Sequence, residues 1–151
     1  MSILIKVQSE DFDQGDLHKS LSDNKRDGAI VTFTGLVREF SAGDNVIALE
    51  LEHYPGMTQQ LLLKIAEQAK VRWSLGKIVI VHRVGYLPLG EQIVFVGVSS
   101  QHRLAAFEGA QFIMDYLKNQ ATFWKKEHFE HSSKWVEFKQ SDKHALDKWK
   151  S

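Results

Sequence analysis

Lys118 and Lys125 stand seven residues apart in "KNQATFWKKE", with Lys126 next to the second. A lysine amine that acts as nucleophile or base has to be uncharged, and its free pKa is about 10.4. Bringing it near 7 takes roughly three units, about 4 kcal/mol, which neighbouring cations and partial burial can supply. In an unbroken helix, seven residues is about two turns, so both side chains would share a face. Asn119 and Thr122 weaken a helix there, so a break is also open. On charge and spacing alone the stretch is either a basic helix end favoured by the dipole or the cationic part of a site.

A second centre is Ser99-Ser100-Gln101-His102-Arg103. A strand ends, a serine is available as a cap, and a His-Arg pair falls in the first turn of a helix. Free N–H groups and the positive dipole end suit an anion there, and Arg103 can add a bidentate grip on phosphate or carboxylate. The alternative is a surface arginine and a packed histidine. Arg38 follows an apolar strand and opens a polar, glycine-containing loop, a position from which function is often built or where an arginine is simply solvated. His82-Arg83 lies inside an apolar strand, whose alternation sends the two side chains to opposite faces, so a structural role is expected. "EHFEH", Glu127 to His131, spaces two histidines i, i+3 but has no evident third ligand and reads as a solvated charged turn rather than a metal site. There is no glycine-rich phosphate loop and no nucleophile elbow. Arg103 and Lys118 are fifteen residues apart, about 22 Å along one helix, so using both in one site requires a bent chain, another segment or a second subunit.

The rest of the chain limits what these groups can do. Its 151 residues suffice for a single domain with its own core. Nineteen Lys+Arg against nineteen Asp+Glu give no net charge, which argues against a generic polyanion binder and makes any basic site a local cluster. With no cysteine, disulfides, thiolate metal sites, cysteine nucleophiles and persulfide carriage are all excluded. The N-terminus turns acidic after a short apolar run, unlike a signal peptide, and no run approaches a membrane span, so a cytoplasmic protein is expected.

The elements that must position the candidates follow from periodicity. "SILIKVQ" predicts a strand, "DFDQGDLHKSLSDN" a first helix, and Asp27-Gly28 a turn. "AIVTFTGLV" predicts a strand with Val31, Phe33 and Val37 on one face, "EFSAGDN" a mobile loop, and "VIALELEHY" a half-buried strand ended by Pro55-Gly56. "MTQQLLLKIAEQAKVRW" carries Leu61, Leu62, Ile65 and Ala69 at helical spacing. "KIVIVHRVGYL" and "EQIVFVGVSS" read as antiparallel strands joined at Pro88-Leu89-Gly90. "HRLAAFEGAQFIMDYLK" predicts a helix with Ala106, Ala110, Ile113 and Leu117 inward, "KWVEFKQ" a last strand and "SDKHALDKW" a terminal helix. Strand pairs with separate helices, without strict alternation, point to an α+β fold.

Together, "DGAIVTFTGLVR", "LEHYPGMT", "HRVGYLPLGEQIVFVGVSSQHRLAAFEGAQFIMDYLK" and "FWKKE" resemble the molybdopterin synthase catalytic (large) subunit family, in order from about Asp27 to Trp149. The resemblance implies an α/β-hammerhead-type α+β fold with two main helices and a central dimer of large subunits. It also implies a small ubiquitin-like sulfur-carrier subunit on each, giving a heterotetramer. The carrier's Gly-Gly thiocarboxylate tail would enter a pocket on the large subunit and deliver two sulfurs to cyclic pyranopterin monophosphate, making the molybdopterin dithiolene. Carried over residue by residue, the family's essential lysines match Lys118 and Lys125, while Arg38, His102, Arg103 and Lys126 fall on substrate-holding positions. No resident cofactor or metal, nucleic acid or membrane is implied. A sulfur transferase without cysteine is reasonable when the sulfur arrives on a partner, and pocket groups supplied by two chains remove the Arg103–Lys118 distance as an objection. Two positions depart from the family pattern: Leu36 stands where a lysine is common, and Lys139 where an arginine is common, which keeps charge without the planar fork. The competing reading is a non-catalytic module that binds a phosphorylated ligand or an acidic peptide tail through the same cluster.

Overall fold

The computed structural model describes residues 2–41, 44–136 and 144–150. Strand β1 (Ile3–Gln8) is followed by α1 (Gln14–Leu21), whose first turn is capped by the Asp13 carboxylate accepting from the Asp16 N–H. Strand β2 (Ala29–Leu36), the two-residue strands β3 (Phe40–Ser41) and β4 (Asp44–Asn45), and β5 (Ala48–His53) lead to α2 (Met57–Trp73). Strands β6 (Ile78–Arg83), β7 (Gly85–Pro88) and β8 (Gln92–Ser100) precede α3 (Arg103–Gln120). The chain then forms β9 (Phe123–His128) and β10 (Ser133–Trp135), and a 3-10 turn at Leu146–Trp149 lies near its end. The fold is α+β.

One sheet has the order β1-β6-β8-β2, parallel between β1 and β6 and antiparallel elsewhere. The β6 sequence "IVIVHR" is buried throughout because both of its faces are covered. Ile78 and Ile80 join Val94, Val96 and Val98 under α2 and α3, whereas Val79, Val81 and Phe95 pack with Leu21 of α1 on the other face. Gly97 permits that second contact, since a Cβ there would lie 2.5 Å from Leu21 Cδ1. The expected inward residues of α3, Ala106, Ala110, Ile113 and Leu117, are all buried. On α2, Leu62, Ile65 and Ala69 are buried, while Leu61 is half-buried.

The other sheet has the antiparallel order β10-β9-β5-β7 around a smaller core of Val37, Val46, Leu49, Leu51 and Leu87. It overturns several expectations. The run from Ile78 to Leu87 is not one strand. Gly85 at φ +93 redirects the chain, so β6 stays in the first sheet and β7 joins the second. The pairing of β6 with β8 is antiparallel as expected. Val31 and Phe33 share a face of β2, but Val37 does not continue it, because the β2–β8 register slips between Gly35 and Leu36 and the strand ends there. Val31 packs on the main core, Phe33 is 43% exposed, and Val37 enters the second core. The expected loop at residues 39–45 contains the β3–β4 pairing. Of the last expected strand and the terminal helix, residues 137–143 lie outside the described residues. Trp149 is buried, with its Nε1–H donating to the equally enclosed Asp115 carboxylate at 2.7 Å.

Candidate active site

Where α3 ends decides how Lys118 and Lys125 are related. The helix stops at Gln120, and Ala121 leaves it with extended backbone angles. Thr122 then meets Thr58, at the start of α2, hydroxyl to hydroxyl at 2.6 Å. From Phe123 the chain is a strand paired to β5. Lys118 and Lys125 are therefore not two turns of one helix. Lys118 sits in the last turn of α3, and Lys125 is the third residue of β9. The sequence "TFWKKE" supports this change, because β-branched and aromatic residues fit a half-buried pleated surface better than a helix.

Helix end and strand converge on a cavity of about 930 Å³. Alternation along β9 turns Phe123, Lys125 and Glu127 into its wall. Lys118 enters from α3 and Arg38 from just beyond β2. Val37 fixes that approach, its N–H donating to the Glu91 carbonyl and its own carbonyl accepting from Gly90, both at 2.9 Å. Leu49, Leu51, Ile93, Met114 and Leu117 make the remaining wall largely apolar. Leu36 also lines it and is 54% exposed. A charge pair against apolar walls interacts more strongly than in bulk water, so anionic groups are favoured here.

Arg38, Lys118 and Lys125 are thus brought together within one chain. The other three expected groups are elsewhere. Lys126, on the opposite face of β9, carries its ammonium 4.9 Å from the Trp135 ring centroid. His102 and Arg103 are exposed at the far end of α3, about fifteen residues of helix from Lys118. His102 is the N-cap residue of α3 and makes no side-chain capping bond. The expected serine cap is not formed: Ser99 and Ser100 belong to β8, and Ser99 Oγ is spent on Asp27 Oδ2 and the Lys77 N–H, at 2.7 and 2.8 Å.

His82, expected to be structural, lines the cavity with the lysines. Burial, reinforced by the charges of Lys118, Lys125 and His53, lowers its pKa to about 4. Its partner Arg83 does have the structural role, donating to the carbonyls of Ser9 and Gln92 and pairing with Glu91 at 3.3 Å. Glu127, expected in a solvated charged turn, is instead buried on the strand face shared with Lys125 and lines the cavity. A signal for His82 was available: a polar ring inside an otherwise aliphatic strand is costly to bury unless it is used. In "EHFEH", His128 Nε2 lies 2.9 Å from Glu50 Oε1, and the described residues contain no group of three or more potential ligands able to hold a metal.

Fold and cleft define an α+β protein whose main cavity gathers cations from a helix end, a strand and a strand-end loop. The chain belongs to the MoaE protein family, whose model matches residues 7–120. It is 50% identical over 145 residues to the molybdopterin synthase catalytic subunit of Escherichia coli (strain K12), covering 96% of this chain and 97% of that protein. The solved molybdopterin biosynthesis MoaE protein from Burkholderia ambifaria MC40-6 is 43% identical with a TM-score of 0.83, over 97% of each chain. A protein–protein complex of subunits 1 and 2 of molybdopterin-converting factor from Helicobacter pylori 26695 matches with a TM-score of 0.72 over 91% of each chain. At 20% identity that last likeness concerns the fold alone. The chain is accordingly an enzyme of the molybdopterin synthase catalytic-subunit kind.

Proposed function

We propose that the protein transfers sulfur from the C-terminal thiocarboxylate of a small ubiquitin-like carrier subunit to cyclic pyranopterin monophosphate, forming the dithiolene of molybdopterin. The observation that carries this reading is the convergence of Arg38, Lys118 and Lys125 on one cavity with apolar walls. A thiocarboxylate tail and a phosphate are both anionic, and the net-neutral chain concentrates cations here. The absence of cysteine fits sulfur that arrives on the partner's tail. Lys118 and Lys125 act on the thiocarboxylate, and Arg38 holds the precursor's phosphate.

His102 and Arg103 complete the site from the neighbouring subunit of a central dimer, because α3 keeps them far from the Lys118 of their own chain. Lys126 shapes the outer side of β9 and contributes to substrate holding only through its charge. With one carrier on each large subunit the assembly is a heterotetramer, and the Helicobacter pylori complex is a precedent for pairing two subunits on this fold. The reaction belongs in the cytoplasm; among the described residues no helix is long and apolar enough to cross a membrane. Mixing the purified chain with thiocarboxylated carrier and precursor tests the reading: dithiolene formation supports it. Binding of both without product would establish a non-catalytic module instead.

A further inference from the structure

His82 occupies the cavity wall at 5% exposure, on the sheet face that Ile78 and Ile80 otherwise make aliphatic. Its Nδ1 lies 2.8 Å from the Arg83 carbonyl oxygen. A carbonyl only accepts, so Nδ1 carries the hydrogen and Nε2 of the neutral ring keeps a lone pair. The ring stacks on Phe123 at 3.8 Å between centroids and 18° between planes, and turning it over within that plane would lose the Nδ1 contact with the Arg83 carbonyl. Phe123 is two residues before Lys125 on the same strand face, which ties the ring's position to that of the lysines. Among the described residues Nε2 has no hydrogen-bond donor, and Lys118 has no ion-pair partner.

We propose that His82 is a positioning residue of this site, its Nε2 accepting a hydrogen bond from the Lys118 ammonium and setting where that ammonium meets the thiocarboxylate. The inference rests on the sulfur-transfer reading above. It assigns Lys118 the part of a charged donor rather than an uncharged nucleophile, because a lone-pair acceptor stabilises the protonated amine. The low pKa of the buried ring keeps it an acceptor at neutral pH. A merely structural His82 would instead serve as a flat filler against Phe123, which phenylalanine could replace.

The test reconstitutes the full chain with thiocarboxylated carrier and cyclic precursor, comparing wild type, Lys118→Ala, His82→Phe and His82→Gln. His82→Phe keeps an aromatic face for Phe123 and is expected to lose kcat by about ten- to a hundredfold, as for one hydrogen bond to a charged group. Its KM for the precursor should stay near that of wild type. His82→Gln offers an amide oxygen in place of Nε2 and should recover most of the lost kcat even if its melting temperature is lower. The 15N resonance of Nε2 should report an unprotonated nitrogen at pH 7 and should move in Lys118→Ala. Wild-type kcat in His82→Phe, no recovery in His82→Gln, or a protonated Nε2 would each overturn the assignment. If Lys118→Ala is inactive while His82→Phe is fully active, only the role of His82 fails. If Lys118→Ala turns over normally, the roles of Lys118 and His82 both fail while sulfur transfer stands; if wild type itself binds both partners and makes no dithiolene, the sulfur-transfer reading fails.

Discussion

The two ends of α3 carry the same kind of charge in different settings. At the C-terminal end, Lys118 faces a cavity whose other walls come from β2, β5, β6 and β9. At the N-terminal end, His102 and Arg103 are exposed and lie outside that cavity. The first end meets cations and apolar walls of its own chain. At the second, among the described residues, the His102 and Arg103 side chains stay exposed at the helix N-terminus, where first-turn N–H groups lack intrahelical partners. The difference is what the proposed dimer needs: if a second copy bridges the length of α3, the two ends serve two halves of one site.

The largest expected effect breaks the comparison at the cleft end. Lys118→Ala should lower kcat at least about a hundredfold, the scale of a lost catalytic group, while carrier binding measured by calorimetry survives. Near-wild-type turnover would remove Lys118 from the chemistry. Next comes complementation. Lys118→Ala and Arg103→Ala chains, each impaired alone, are mixed and allowed to exchange. If each site takes Lys118 from one subunit and Arg103 from the other, half the dimers are mixed and each has one intact site, so about a quarter of wild-type activity returns. No recovery would mean that the two ends do not share a site. Arg103→Ala alone should weaken precursor affinity by about tenfold, the worth of one charge-assisted contact, with little effect on the chemical step at saturation.

A smaller effect belongs to the cleft end only. The folded pKa of His82, about 4, is below its ordinary 6.5, so between these values the unfolded chain binds more protons. Stability is fully present above pH 6.5 and declines as pH falls toward 4. The loss between pH 7 and pH 5 should be about 2 kcal/mol in urea titrations, and His82→Phe should remove it. A pH dependence unchanged in that variant would assign the loss to other groups. The smallest effect is expected at Lys126: its exposed cation–π contact with Trp135 is worth about 0.5–1 kcal/mol, so Lys126→Ala should change turnover only slightly.

Legibility in the sequence followed the strength of local periodicity. The α2 range and the inward residues of α3 were readable because aliphatic side chains recur at helical spacing over about two to three turns. Strand β9 was missed because Asn, Gln and three lysines mask a strand whose outer face meets solvent, and because only Ala121 and Thr122 separate it from α3. Gly85 was visible, but not that its turn transfers the chain from one sheet to the other, since the partner strand β5 lies more than thirty residues upstream. The candidate residues were legible by charge and family resemblance. Their grouping was not, and His82 was set aside because alternation predicts opposite faces without saying what each face meets.

The sequence by itself determined the α+β class, the two long helices, the lack of any thiol chemistry and the set of cations worth testing. These follow from local periodicity and composition, which need no knowledge of distant contacts. Only the tertiary structure decided that Lys118 and Lys125 meet across a helix-to-strand junction, that Arg38 and His82 join them, and that Lys126, His102 and Arg103 do not. That sorting depends on which sheet each strand enters and where a helix stops, and both are set by long-range packing and register.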